Sequence, residues 1–186
     1  MKPQKLYKTL MIDPPWSHNQ TGRKGAIAHY NLMTLDEIKA MPVSDLAAPD
    51  AHLWLWVTES VLLSGEGVEV MKAWGFTPRG LFNWIKPRMG LGNYLRHATE
   101  YIIFGTRGKA PILFKSQPNW SFAPVQDHSH KPEEIHKIAE RCSPAPYLEL
   151  FARRRQLGWD VWGNEIESDI KIEGYPVPKY SEKGVK

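Results

Sequence analysis

Leu6 to Ile12 (LYKTLMI) is a mostly apolar run that stops at a Pro-Pro pair, the profile of a strand entering a stiff turn. Ser17 to Tyr30 is polar, basic and glycine-bearing, and predicts a mobile loop. Thr34 opens a short helix to Met41, with Glu37 three residues on completing a capping box. His52 to Val57 (HLWLWV) is apolar enough for a buried strand. Val61 to Trp74 has a helical period, weakened early by Gly65 and Gly67. Gly80 to Lys86 and Glu100 to Thr106 read as strands flanking a Gly/Arg-rich loop, Pro87 to Thr99. Pro132 sits near the first turn of a helix that runs to about Arg141 and ends at Ser143-Pro144. Tyr147 to Ala152 (YLELFA) and Trp159 to Trp162 are the last strands.

Short apolar strands alternating with helices predict an α/β fold, a mostly parallel sheet with helices on both faces. Such sheets bind ligands at the carboxyl ends of their strands. Asp13 follows one such end and Arg153 another. No internal repeat interrupts the pattern. The 186 residues suit one domain over 1–173, followed by a charged, proline-bearing tail, 174–186, expected to be flexible.

Composition narrows this a little. The balance of 24 Lys+Arg against 20 Asp+Glu gives +4, compatible with a polyanionic partner and equally with a mildly basic enzyme. The single cysteine, Cys142, excludes an internal disulfide and a multi-cysteine zinc site, and fits a reducing cytoplasm. No stretch approaches the ~20 apolar residues that span a bilayer, so no membrane partner is expected. Nor do the first ten residues have a signal-peptide profile. Eight Trp is a high count, and some of these rings are candidate stacking surfaces.

Asp13-Pro14-Pro15-Trp16, directly after the first strand, carries the most chemistry. Two prolines restrict φ and remove donors, so a carboxylate, free carbonyls and an indole are held together at the sheet edge. That set suits methylation of an exocyclic amine, whose nitrogen lone pair is delocalised into the base. Acceptors aimed at both N–H groups, an Asp13 Oδ and the Pro14 carbonyl, localise the lone pair and stabilise the charge that develops on methyl transfer. Trp16 is then expected to stack on a base taken out of its helix. The plainer reading is a proline-stopped strand with Asp13 capping the turn.

Further segments, in order, resemble the MT-A70 family of adenine-N6 methyltransferases in a compact bacterial or phage form. They are His29-Tyr30-Asn31-Leu32-Met33-Thr34, Leu53 to Thr58, Asn83-Trp84-Ile85-Lys86 and Glu100 to Gly108, then His130 to Ile135, Leu148 to Arg153 and Gly158 to Glu165. The resemblance spans about residues 6–166. It implies a Rossmann-like methyltransferase, S-adenosylmethionine as cofactor, no metal and an adenine target. It makes Asp13, Pro14, Pro15 and Trp16 catalytic, and places the cofactor on Asp13, Tyr30, Glu149, Arg153, Arg155, Gln156, Asn164 and Glu165. The family's glycine after the cofactor-strand phenylalanine is Ala152 here, and Thr99 stands where relatives often carry Lys. Few residues precede Leu6, so the wall that upstream sequence gives larger members must come from elsewhere or be open.

Arg23, Lys24 and His29 on the first loop, and Lys86, Arg88 and Arg96 around the second, are candidate nucleic-acid contacts; solvated loops account for them nearly as well. His128-Ser129-His130 lacks a third ligand at diagnostic spacing, so no metal is expected. DNA is the preferred polymer, because no appended RNA-binding module is visible, with RNA the nearest alternative. A non-catalytic nucleic-acid-binding subunit is the rival from another class. The oligomeric state stays open between monomer and homodimer. The expected location is the cytoplasm of a bacterial or phage-infected cell.

Overall fold

The computed structural model describes residues 5–17, 32–90, 94–125 and 131–175. The LYKTLMI run is β1 (Tyr7–Ile12). It pairs in parallel with β2 (Ala47–Val57) on one side and with β6 (Tyr147–Leu150) on the other. Beyond β6 lies β7 (Trp159–Trp162), also parallel. Beyond β2, β4 (Thr99–Arg107) runs antiparallel, then β3 (Thr77–Ile85), then the short β5 (Trp120–Phe122). The order β5-β3-β4-β2-β1-β6-β7 makes one seven-stranded, mostly parallel sheet. β5 has no counterpart in the sequence reading, since three residues carry no period. β2 begins five residues before the predicted His52, where Ala51 pairs Arg107 across the ladder and Tyr7 pairs Ala47.

Alternation along the central strands sends side chains to two cores. Leu53, Leu55 and Val57 lie with Leu10 and Ile12 under α1 (Leu35–Ala40), α3 (Glu59–Ser64) and α4 (Glu66–Ala73). Trp54, Trp56, Trp84 and Trp159 lie on the other face with Met11, under α5 (Glu133–Cys142). That helix buries Ile135, Ile138, Ala139 and Cys142, the i, i+3, i+4, i+7 set of one face. Burying each such large side chain contributes roughly 1.5–3 kcal/mol. Seven of the eight tryptophans are therefore core, and Trp120 on the edge strand is half exposed.

The capping box forms as predicted: Thr34 Oγ1 accepts from Glu37 N, and Thr34 N donates to Glu37 Oε2 at 2.7 Å. The expected helix over Val61–Trp74 is two helices, because Gly65 adopts φ 82°, left-handed, and ends α3. Four-residue α2 (Val43–Leu46) leads into β2.

Gly163, after β7, is the tightest approach between neighbouring strand ends. A Cβ there would meet the Ala152 carbonyl oxygen at 2.0 Å, and that backbone cannot retreat because Ala152 N donates to Trp162 O. Gly163→Ala should cost about 3 kcal/mol, read as a lower urea midpoint at unchanged slope. A midpoint equal to wild type would show that the two strand ends are not locked together.

Candidate active site

Where β1 ends, the topology switches: the next strand in the chain lies to one side and β6 to the other. This is the position at which open α/β sheets leave a crevice. A cavity of about 760 Å³ opens there, within the ~300–1,000 Å³ range of small-molecule sites. Asp13, Pro14, Pro15 and Trp16 line its centre. Residues after β2 and around β3 and β4 (Thr58, Ser60, Lys86, Glu100, Tyr101) line one flank. Residues after β6 and β7 (Phe151, Arg153, Trp162, Asn164) line the other.

The Asp-Pro-Pro-Trp turn is held by backbone bonds that the prolines leave available. Asp13 N donates to Leu150 O at 3.4 Å, Trp16 N to Pro14 O at 2.9 Å and Met33 N to Pro15 O at 2.9 Å. A carbonyl has two lone pairs, so Pro14 O retains one acceptor site. Trp16 departs from the sequence expectation. Its indole is 6% exposed and its Nε1 donates to Trp56 O at 3.0 Å. A ring so enclosed cannot offer a whole face to a stacked base; it braces the turn against β2.

Asp13 shares an ammonium with a second carboxylate. Lys131 Nζ lies 3.3 Å from Asp13 Oδ2, 2.6 Å from Glu100 Oε2 and 4.6 Å from the centre of the Trp56 ring. Lys86 Nζ closes the other oxygen of Glu100 at 2.5 Å and sits over Trp84. Burial pushes the Asp13 carboxyl above the usual aspartate value, and Lys131 offsets this only in part. Glu100 is partly buried too, yet its two ammonium partners hold it below the usual glutamate value. Burial works against the Lys131 ammonium, but Asp13 and Glu100 beside it win and raise its pKa. The cluster is thus a firmly charged lysine pinned between an easily protonated aspartate and a firmly ionised glutamate.

The predicted site residues divide. Arg153 and Asn164 reach the main cavity, and Arg153 Nε lies 3.8 Å from Glu165 Oε1. Glu149 and Gln156 border a narrow cleft of about 30 Å³ that adjoins the cavity at Asp13, Lys131, Phe151 and Arg153. There the Glu149 carboxylate meets His136 Nε2 at 2.8 Å. Arg155 is placed differently: its guanidinium pairs with Asp169, at 3.0 and 3.1 Å, and with the Glu167 carbonyl, and it is not among the residues that line the cavity. Successive residues leaving a strand point different ways, so only part of the Arg153–Arg155 run can face the ligand. Lys86, a candidate nucleic-acid contact, is a cavity wall residue paired to Glu100. Arg88 and Arg96 are exposed on the connection between β3 and β4. Tyr30, Arg23, Lys24, His29 and His128-Ser129-His130 lie outside the described residues.

The sequence reading assigned no role to Lys131, Glu100 or Phe151. Phe151, the residue after β6, has φ 63°, a left-handed conformation that costs a non-glycine residue about 1–3 kcal/mol and collects at functional sites. Its ring packs edge-on against Trp162, centroids 5.3 Å apart. Gly174 and Tyr175, expected to begin a flexible tail, line the cavity.

Sheet order and switch point define the class, a Rossmann-like α/β fold with a charged cavity at its switch point. The MT-A70 family model matches residues 7–165, and the chain belongs to that family. It is 28% identical to the type II methyltransferase M.MunI of Mycoplasma sp, over 92% of this chain and 82% of that protein. It is 29% identical to the N(6)-adenine-specific methyltransferase METTL4 of Mus musculus, over 87% of this chain and 38% of that protein. With the N(6)-adenosine-methyltransferase catalytic subunit METTL3 of Homo sapiens it shares 28% identity, over 95% of this chain and 31% of that protein. The chain thus spans most of M.MunI and about a third of these two mammalian relatives. Among the described residues no helix is long and apolar enough to cross a membrane.

Proposed function

We propose that this protein transfers the methyl group of S-adenosylmethionine to the N6 amine of adenine in DNA. The observation that carries the proposal is the position of Asp13 and Pro14 at the centre of the cavity, between two chemically different flanks. The flank after β6 and β7 suits the cofactor. Arg153 and Lys131 would pair with its carboxylate, Asn164 would meet a ribose hydroxyl, and Phe151, backed by the buried Trp162 ring, would supply the apolar surface that a purine needs. The opposite flank, past Thr58 and Tyr101, is left for the target base.

The cofactor, when bound, supplies an electrophilic methyl group on a sulfonium. The chain's own residues prepare the nucleophile. Lys131 sits on Oδ2 of Asp13, which leaves Oδ1 to accept one N–H of the amine. The remaining lone pair of Pro14 O accepts the other. Both bonds strengthen as the nitrogen becomes positive, so they favour the transition state over the ground state. Asp13 then takes the surplus proton and passes it to water, a role its raised pKa suits.

The match covering 82% of a type II methyltransferase supports DNA over RNA. The test incubates purified protein and S-adenosylmethionine with unmethylated DNA or RNA, and measures N6-methyladenine by mass spectrometry. Methylated adenine is expected in DNA, in at least tenfold excess over RNA. Methyl groups in RNA alone would overturn the choice of polymer. A folded, cofactor-binding protein that methylates neither is the outcome that favours a non-catalytic subunit.

A further inference from the structure

The segment after β7 turns back on the sheet and is pinned at successive points. Gly163 N donates to Ser168 Oγ, Asp169 N donates to Val161 O, and the Asp169 carboxylate accepts Val161 N and Arg155. Ile172, 6% exposed, then enters the core on the α1 face. A tight turn follows: Gly174 takes φ 78° and Tyr175 N donates to Ile172 O at 3.1 Å. The turn delivers Tyr175, half-buried, to the cavity wall, where its hydroxyl reaches the Glu37 carbonyl of α1 at 3.4 Å. Asp13, Glu100, Lys131 and Arg153 put charge near the Asp-Pro-Pro-Trp turn, and Glu37, Glu59 and Lys86 also line the cavity. On the flank after β6 and β7 Phe151 lines the cavity with the buried Trp162 ring behind it, and Tyr175 adds an aromatic ring from a separate segment.

We propose that the Ile172–Tyr175 turn is a wall of the cofactor pocket, with the Tyr175 ring packed against the adenine of S-adenosylmethionine. This rests on the cofactor reading above. The cofactor's amino-acid end needs the charged groups, so its uncharged planar end is left for the aromatic end of the cavity. Arg155 has a definite part in this arrangement: it holds the segment through Asp169.

Calorimetric titration of the purified protein with S-adenosylhomocysteine, and with methylthioadenosine, tests the assignment. Loss of one aromatic–base contact weakens binding about 10- to 100-fold. Tyr175→Ala should therefore raise both dissociation constants by that factor, while Tyr175→Phe stays within about threefold of wild type. Because methylthioadenosine lacks the amino-acid end, an equal loss for both ligands locates the contact on the adenosine part. The melting temperature of each variant, measured alongside, excludes simple unfolding as the cause. If wild type binds both ligands and Tyr175→Ala binds them equally well, the Tyr175 proposal is wrong and the cofactor reading stands. Absence of binding by folded wild type would overturn the cofactor reading and the Tyr175 proposal together.

Discussion

Asp13→Asn lowers kcat about 10³-fold, with the cofactor dissociation constant changed much less. The size follows from losing one preorganised group aimed at developing charge in a partly desolvated site, which costs about 10²–10³; losing the proton acceptor at the same atom puts the expectation at the upper end. The amide keeps the shape of the turn, so the fold should survive. The pH profile of the wild type carries an independent sign. Activity needs ionised Asp13, and burial raises its pKa, so the acid limb of kcat lies above the ordinary aspartate value of about 3.9. Steady-state kinetics and methyl quantification read both effects. Full turnover in Asp13→Asn would remove the carboxylate from the mechanism, and an acid limb at or below the ordinary value would contradict the burial argument.

Lys131→Met should lose both stability and rate. Removing the ammonium leaves Asp13 and Glu100 facing each other, with only Lys86 still on the glutamate. Breaking a buried pair costs about 3–5 kcal/mol, and the carboxylates here are about a third exposed, so a loss of about 3 kcal/mol is expected. The same change moves the acid limb to higher pH, because Lys131 lowers the Asp13 pKa and its removal leaves burial unopposed. Lys131→Arg keeps the charge and should restore most of the stability. Urea unfolding and the pH–rate profile together check this. A limb that stays in place in Lys131→Met would mean that the 3.3 Å contact does not govern Asp13 ionisation.

Local chemistry was the legible part of this protein. The strand before the turn, the capping box at Thr34 and Glu37, the helix after Pro132 and the stiff Asp13-Pro14-Pro15-Trp16 turn each depend on residues a few positions apart. Propensity and steric rules act over that distance, so the sequence shows them directly. The weak point at Gly65 was visible as well, although whether it would bend or break the helix depended on a left-handed φ that α4 and the sheet impose.

The site was legible only in part, for a physical reason. The Asp13–Lys131–Glu100 cluster joins the residue after β1, the start of β4 and the residues before α5, segments far apart in the chain, and no periodicity reports a long-range ion pair. The direction of each arginine in Arg153–Arg155 follows from where Asp169 and the cavity lie. The same holds for Trp16, whose side chain was expected at a base but is held at the Trp56 carbonyl.

By itself, then, the sequence determined the alternation of strands and helices, the stiff turn and its carboxylate, because covalent geometry and neighbouring residues suffice for these. Tertiary structure alone decided which charges meet that carboxylate, which tryptophans are core, and that Tyr175 lines the cavity. Burial and Coulomb interactions depend on distance in space, which the chain order does not contain.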